Sequence, residues 1–209
     1  MKKEEKKLDV VFVLDKSGSM SGSEDNTIQS FNDYLKKEKK NQYKTSITTI
    51  LFSDHYTYLH KGEDVFNVEE LTERDYRVGG CTALYDSLGE VIHYMEKKNN
   101  DNVLFIIITD GEENASKEYS KDKIKKLIKK HSSWEFIYIG ADIDSYANGC
   151  EIGIRTDNIA NFRKDKRGIS KMFEAVGNFE CAMMCEDSAS KKNWKEDLEN
   201  YLDENKEMI

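Results

Sequence analysis

The chain has 209 residues, of which 38% are hydrophobic and 34% are charged. That length suits one domain with appended structure, or at most two small domains, and the apolar content argues against disorder of the whole chain. The formal net charge of −8 argues against a general nucleic-acid binder, which would need a basic surface to displace counterions.

The beginning of the chain, MKKEEKKLDVVFVLD, joins a charged front to an apolar run of five residues between Asp9 and Asp15. That run is far too short for the apolar region of a secretion signal. No stretch of the sequence approaches the roughly 20 apolar residues of a membrane span. We therefore expect a soluble, cytoplasmic protein with no membrane partner.

The four cysteines occur at positions 81, 150, 181 and 185, without a CxxC pair or a Cys/His zinc pattern. We expect Cys181 and Cys185, one helical turn apart, to be small core residues of a protein in a reducing compartment. For Cys81 the ordinary interpretation is likewise a small packed residue, and the alternative is a redox-sensitive thiol.

Four short apolar runs indicate β-strands. Residues 10–14 and 103–108 are nearly continuous Val, Ile, Leu and Phe, which is typical of strands buried on both faces of a parallel sheet. Residues 46–52 (SITTILF) and 135–139 (EFIYI) form the other two runs. Directly after the second run, alternating Tyr56, Tyr58 and His60 predict a hairpin that returns as one antiparallel edge strand.

Helical patterns separate the predicted strands. Apolar residues recur at spacings of three and four in three segments, which is the pattern of an amphipathic helix. The stripes are Ile28, Phe31 and Leu35; Leu84, Leu88, Val91, Ile92 and Met95; and Ile124, Leu127 and Ile128. This alternation predicts an α/β fold with a Rossmann-like, doubly wound, mostly parallel sheet and helices on both faces.

Past residue 157 the chain changes to helical patterns alone. The apolar stripes are Ile169, Met172, Phe173 and Val176, and then Trp194, Leu198, Tyr201 and Leu202. We expect two C-terminal helices, the first packed on the sheet edge and the second docked more loosely. The predicted organisation is a first domain over residues 1–157, which contains the sheet, and a C-terminal helical extension over residues 158–209, packed on the same domain.

The candidate site begins where the first predicted strand ends, at Asp15-Lys16-Ser17-Gly18-Ser19. Open α/β sheets place their ligands at the carboxyl ends of strands, and Gly18 allows a tight turn that aims both hydroxyls inward. Carboxylate and hydroxyl oxygens favour a hard cation such as Mg2+, Mn2+ or Ca2+. Alone, such a loop is more often a helix cap or a turn.

Two further segments strengthen the hypothesis of a metal site. The strand at residues 103–109 ends in Asp110-Gly111, which places a second carboxylate at the carboxyl edge of the sheet. The sequence GGCT at residues 79–82 precedes a predicted helix, so Thr82 could either cap that helix or offer its hydroxyl to the same metal.

Together these three loops resemble the metal-ion-dependent adhesion site of von Willebrand factor A domains, whose pattern is D-x-S-x-S, then a Thr, then an Asp. The segments VLDKSGSM, GGCTALYDSLG and FIIITDGEEN carry the resemblance, which covers residues 8–157 and looks like a compact bacterial or phage-type member. It implies five metal ligands, which are Asp15, Ser17, Ser19, Thr82 and Asp110. It also implies that Asp110 binds through a water in some states.

The resemblance implies a non-enzymatic, divalent-metal-dependent protein-interaction module. The ion, Mg2+ or else Mn2+ or Ca2+, would coordinate an Asp or Glu of a partner protein, and bacterial members suggest an AAA+ ATPase as one such partner. Two carboxylates and three hydroxyls would leave a divalent ion nearly neutralised but open to a further ligand. Glu112 and Glu113 are expected to be solvated charges at a helix start, although they would make the rim more acidic.

Two other classes of function stay open, a hydrolase and a scaffold that does not need its metal. A haloacid-dehalogenase-type phosphatase would need a second Asp two residues after Asp15, where this chain has Ser17. A response-regulator receiver would need an acidic pair near the first strand and a Lys after a late strand. In this chain Asp15 stands alone, and residues 137–140 are followed by Ala141 and Asp142 instead of a Lys. A serine hydrolase would need G-x-S-x-G and a well-placed partner His, but Ser17 lies in D-K-S-G-S.

Overall fold

The computed structural model describes residues 7–41 and 43–204. Residues 1–6 and 205–209, which form the two ends of the predicted domain organisation, lie outside the described residues. Within the described part of the chain, six strands form one sheet: β1 (Lys7–Asp15), β2 (Lys44–Phe52), β3 (Tyr56–Asp64), β4 (Val103–Thr109), β5 (Glu135–Gly140) and β6 (Ile159–Asn161).

The strands follow the spatial order β3-β2-β1-β4-β5-β6. All neighbours are parallel except β2 and β3, which pair antiparallel, so β3 forms one edge of the sheet. β1 lies between β2 and β4, and Leu14 stands opposite Leu51 on one side and Ile108 on the other. The predicted doubly wound, mostly parallel sheet with an antiparallel edge strand is therefore confirmed.

Seven α-helices are present among the described residues. They are α1 (Glu24–Glu38), α2 (Leu84–Glu96), α3 (Lys121–Lys130), α4 (Ser145–Glu151), α5 (Lys166–Met184), α6 (Ser188–Lys192) and α7 (Glu196–Glu204). None of these helices combines the length and apolar character needed to cross a membrane.

Side chains of β1 alternate between two apolar cores, one on each face of the sheet. Phe12 points into the core under α1 and α5, where its ring centroid lies 5.1 Å from that of Phe31 and 6.3 Å from that of Phe173. Val11 and Val13 point into the opposite core, which α2 and α3 cover. Because both faces are covered, a nearly continuous apolar run is what this strand requires.

The first C-terminal helix, α5, packs on a face of the sheet and not on its edge. Its buried stripe, which includes Phe173, Val176 and Phe179, lies in the same core as Phe12 and the apolar face of α1. The expectation of edge packing was wrong because an apolar stripe specifies that a helix is buried, but it does not specify which neighbour buries it.

The sheet also continues past residue 157, where the sequence analysis placed a division. β6 pairs in parallel with β5, for example Tyr138 with Ile159, and a strand of three residues is too short to leave a periodic signal. The indole of Trp194 donates to the carbonyl of Asp157 at 2.9 Å and packs edge-on against Phe179. Sheet and C-terminal helices thus share contacts across the predicted division.

The cysteines do not lie in the core. Cys81, Cys181 and Cys185 are exposed, and Cys150 is half-buried. Cys181 and Cys185 are one helical turn apart as expected, since the amide of Cys185 donates to the carbonyl of Cys181 at 2.9 Å. They are exposed because the buried stripe of α5 faces the sheet through other positions, so the expectation of small core cysteines was wrong.

Trp194 tests how firmly the C-terminal helices are held. The side chain is 1% exposed, so Trp194→Ala removes a large buried ring and its hydrogen bond. We expect the free energy of unfolding to fall by about 4 kcal/mol. Equilibrium urea unfolding measures this change, with Phe66→Ala, whose side chain is 63% exposed, as the matched control. An equal, small effect of both substitutions would show that the C-terminal packing contributes little.

Glu96 gives a pH-dependent contribution to stability. It accepts hydrogen bonds from Lys130 at 2.7 Å, His93 at 2.8 Å and His131 at 2.7 Å, and its pKa is lowered from 4.5 to about 2. A carboxylate whose pKa is lowered on folding stabilises the protein above its unfolded pKa, and this stabilisation is lost as the pH falls towards the folded pKa.

We therefore expect Glu96→Gln to be less stable than the wild type above pH 4.5 and to approach it as the pH falls towards 2. Urea unfolding across that pH range measures the difference, with the exposed Glu73→Gln as control. A difference in stability that does not change with pH would contradict the lowered pKa of Glu96.

Candidate metal centre

Three loops meet at the carboxyl edge of the sheet and carry four of the five predicted ligands, and Asp15 ends β1 beside them. The first loop, residues 16–23, follows β1. The second loop, residues 79–83, precedes α2. The third loop, residues 110–120, follows β4. Backbone hydrogen bonds join the first two loops, from the Gly18 amide to the Gly80 carbonyl at 3.0 Å and from the Gly79 amide to the Lys16 carbonyl at 2.9 Å.

Asp15 and the two serines form a hydrogen-bonded chain. The Asp15 carboxylate accepts from the Ser17 amide through Oδ1 at 2.6 Å and from the Thr109 hydroxyl through Oδ2 at 2.6 Å. The Ser17 and Ser19 hydroxyls are 3.0 Å apart, and Ser19 Oγ donates to Asp110 Oδ1 at 2.5 Å. Ser19 therefore connects directly to the predicted ligand of the third loop, and Ser17 connects to it through Ser19.

Thr82 is held by the third loop. Its amide donates to the Asn114 side chain at 2.9 Å, and its carbonyl accepts from the Asn114 amide at 3.0 Å. The residue that precedes α2 is Ala83, and it makes no side-chain cap, so the structure does not use Thr82 as the cap of that helix. The side chain of Thr82 is buried and its hydroxyl points towards Gly111.

The hydroxyls converge on the side-chain-free face of Gly111. A Cβ atom built there would lie 2.6 Å from Thr82 Oγ1, 3.3 Å from Ser19 Oγ and 3.6 Å from Ser17 Oγ. The three loops thus form a small polar cradle that only a glycine at this position leaves free. Sequence reasoning placed Gly111 beside Asp110 but gave it no role.

Both carboxylates of the site are shielded from solvent. Asp15 is 0% exposed and the side chain of Asp110 is also 0% exposed. Burial raises the pKa of Asp15 to about 6, although hydrogen bonds from Thr109 and Ser17 oppose that shift. A buried carboxylate is costly unless a positive charge compensates it, so this site has the electrostatic character of a cation-binding centre.

Lys164 is a charged residue of the site that sequence reasoning missed. Its ammonium donates to Asp110 Oδ2 at 2.9 Å and pairs with Asp142 Oδ2 at 2.8 Å. Burial lowers the pKa of Lys164, but the hydrogen bonds to Asp142 and Asp110 outweigh that effect and raise it. In the sequence Lys164 lies within the charged run RKDKR, which resembles an ordinary solvated segment and carries no signal of a site.

The glutamates after Asp110 do not begin a helix, because residues 111–120 form a loop. Glu113 accepts from the Tyr85 amide at 2.8 Å, from the Ala115 amide at 2.9 Å and from the Ser116 hydroxyl at 2.7 Å. It therefore lies at the start of α2, where the positive end of the helix dipole favours it. Glu112 is exposed at the rim.

Cys81 is exposed next to Thr82, and the expectation of a packed residue was wrong. Its amide donates to Asp54 Oδ1 at 3.0 Å. A hydrogen bond between the thiol and Asp54, together with the negative charge of Asp54, raises the pKa of Cys81. Since thiolates are the reactive form, this environment disfavours a redox-sensitive role.

The residues of the site fit a hard divalent cation. All donors are oxygens, namely two carboxylates and three hydroxyls, which is the chemistry that Mg2+, Mn2+ and Ca2+ prefer. Within residues 7–41 and 43–204, no three His, Cys, Asp or Glu side chains come together as a metal-binding group. Any metal centre here thus depends on the hydroxyls of Ser17, Ser19 and Thr82. Their coordination of a metal stays a prediction.

Comparison with known proteins identifies a family. The family model for the von Willebrand factor type A domain matches residues 9–172. A search of curated proteins found no match.

Solved structures share the fold at low sequence identity. One of them is proximal thread matrix protein 1 from the mussel byssus, with a zinc-occupied metal-ion-dependent adhesion site (MIDAS) motif. It has a TM-score of 0.61 and 20% identity over 83% of this chain. That alignment covers 46% of the mussel chain, so this chain spans about half the length of its relative. The D319A mutant of the PilB minor pilin from Streptococcus sanguinis has a TM-score of 0.62 and 12% identity, over 90% of this chain and 62% of the pilin.

The cradle can be tested by filling it. A methyl group at Gly111→Ala would crowd Thr82 Oγ1 and reach Ser19 Oγ, so we expect the affinity for Mg2+ to fall by about tenfold or more, equivalent to at least about 1.4 kcal/mol. Isothermal titration calorimetry measures the affinity. The control is Gly177→Ala on α5, where an added Cβ meets nothing within 4 Å. Equal Mg2+ affinity in both variants would show that the cation does not use the cradle.

Proposed function

This chain belongs to the von Willebrand factor type A family, and from that premise we propose that it is a metal-dependent protein-interaction module. The metal would be bound by Asp15, Ser17, Ser19, Thr82 and Asp110, and it would coordinate an Asp or Glu of the partner. The observation that carries the proposal is the convergence of three hydroxyls on Gly111 at an edge of the sheet that also holds the two buried carboxylates, Asp15 and Asp110.

The donor set supports Mg2+ as the ion, with Mn2+ or Ca2+ as alternatives, because every candidate donor is an oxygen. A zinc-occupied MIDAS motif in the mussel protein supports metal binding at the corresponding place in this fold. When bound, the ion would supply a Lewis acid with an open position. The residues of this chain would hold the ion and leave that position for the carboxylate of the partner.

A binding role fits the surroundings of Asp15 better than catalysis. A nucleophilic carboxylate needs an accessible oxygen, but Asp15 is 0% exposed and its two oxygens accept hydrogen bonds from Ser17 and Thr109. This argues against Asp15 as a nucleophile, and together with the family membership it leads us to propose that the chain is not an enzyme. A scaffold that binds its partner without metal is the competing proposal, and metal removal separates the two.

Three finer features remain part of this proposal. We propose that the chain is a compact bacterial or phage-type member of the family, that it acts in the cytoplasm, and that an AAA+ ATPase is one candidate partner. The likeness of the three loop sequences to that group supports the first and the third of these features.

The proposed site is tested by Asp15→Ala. Loss of the buried carboxylate removes a ligand and the acceptor that orients the Ser17 amide, so we expect Mg2+ binding to disappear in calorimetry. The sheet should persist, because the apolar side chains of β1 remain in both cores. Circular dichroism checks the fold, and Asp25→Ala, at an acidic position in the first turn of α1, is the control. Unchanged Mg2+ affinity in Asp15→Ala would remove the basis of the site.

The partner role is tested by affinity capture from the native host in Mg2+ and in EDTA, with Asp15→Ala as a second negative arm. We expect one specific partner to be retained only with Mg2+ and the wild-type chain. Replacement of acidic residues in that partner should then abolish binding. Equal retention in EDTA would favour the scaffold, and turnover of a phosphoester by the purified chain would favour the hydrolase.

A further inference from the structure

Lys164 places a cation of the protein itself against a predicted metal ligand. Its ammonium bonds to Asp110 Oδ2 at 2.9 Å, to Asp142 Oδ2 at 2.8 Å and to the Ser19 carbonyl at 3.3 Å. A lysine ammonium has three donors, and these three acceptors can use all of them. The contacts join three loops of the carboxyl edge of the sheet, those after β1, β4 and β5.

The backbone on both sides of Lys164 is anchored. Phe162 is buried, and its amide donates to the Gly140 carbonyl at 2.8 Å. Asp165 caps α5 by accepting from the Gly168 amide at 2.7 Å. The position of Lys164 is thus defined by the end of β6 and the start of α5, so the contact with Asp110 is built into the fold.

The two carboxylates that Lys164 bridges differ in their exposure. The Asp110 side chain is 0% exposed and depends on nearby positive charge, whereas the Asp142 side chain is 67% exposed and water can solvate it. Lys164 itself is 27% exposed. The ammonium can therefore leave Asp110 and stay beside Asp142 without becoming an isolated buried charge.

We propose that Lys164 is an internal competitor for Asp110, which holds this ligand and weakens the affinity of the site for divalent cations. The inference rests on the proposed metal site. Lys164 must release Asp110 Oδ2 before that oxygen is free to act as a ligand, directly or through a water. Once released, the ammonium remains beside Asp142 at the rim, where its charge favours an acidic group of a partner.

The test compares two lysine substitutions by Mg2+ calorimetry. Lys164→Met removes the ammonium and keeps an unbranched side chain, and Lys166→Met removes the same charge from an exposed position on the first turn of α5. We expect Lys164→Met to bind Mg2+ about tenfold more tightly than the wild type, because loss of the ammonium leaves a buried carboxylate without compensation. Lys166→Met should stay within about twofold of the wild type, because exposed charges are screened.

A second measurement uses the wild-type chain and does not depend on how well the variant folds. Labelling of lysines with an amine-reactive reagent, read by peptide mass spectrometry, reports whether the ammonium is engaged. We expect labelling of Lys164 to rise severalfold in Mg2+ relative to EDTA, while labelling of Lys166 stays constant.

The inference is overturned if Lys164→Met binds Mg2+ no more tightly than the wild type, or if labelling of Lys164 is the same in Mg2+ and EDTA. The second result would mean that Lys164 keeps Oδ2 while any ion uses Oδ1. Failure of the proposed function looks different, because the wild type itself would then bind no Mg2+.

Discussion

The burial of Asp15 at the end of the central strand is the constraint on which the site depends. β1 is covered on both faces, so the carboxylate that ends it has no direct access to water. A buried carboxylate requires donors, and Thr109 and the Ser17 amide supply them. Those bonds turn the first loop back over the sheet and bring its hydroxyls towards the third loop. The burial of Asp15 therefore accounts both for the electrostatic cost of its carboxylate and for the loop geometry that forms the cradle.

The five predicted ligands could be selected from sequence because each lies beside a local signal, namely the end of an apolar strand or the start of a helical stripe. Asp15 and Asp110 follow two neighbouring strands, and the parallel arrangement brings their loops together. Lys164 carried no such signal, because it meets Asp110 over a separation of 54 residues and lies among other charges. Its role depends on where β6 ends, and β6 has only three residues.

The packing of the C-terminal helices shows the same limit at the level of the fold. The stripe of α5 correctly indicated one buried face, but its position beside α1 depends on which sheet face has room for a second helix. The exposure of Cys181 and Cys185 follows from that placement, since the side of α5 that faces the sheet is filled by larger apolar residues. Periodicity establishes that a helix is amphipathic, and tertiary packing decides which neighbours cover its apolar face.

The charges around the site are more balanced than the ligand sequence suggests. Taken alone, Glu112 and Glu113 would repel an acidic partner, yet Glu113 accepts from the Tyr85 amide at the start of α2 and from the Ala115 amide of its own loop. Lys164 adds a positive charge on the opposite side, held between Asp110 and Asp142. With a divalent ion, the two buried carboxylates, this ammonium and the Asp142 carboxylate that pairs with it would sum to zero net charge. A partner carboxylate would meet both the ion and this ammonium, so the residue that restrains metal binding would also favour an acidic ligand.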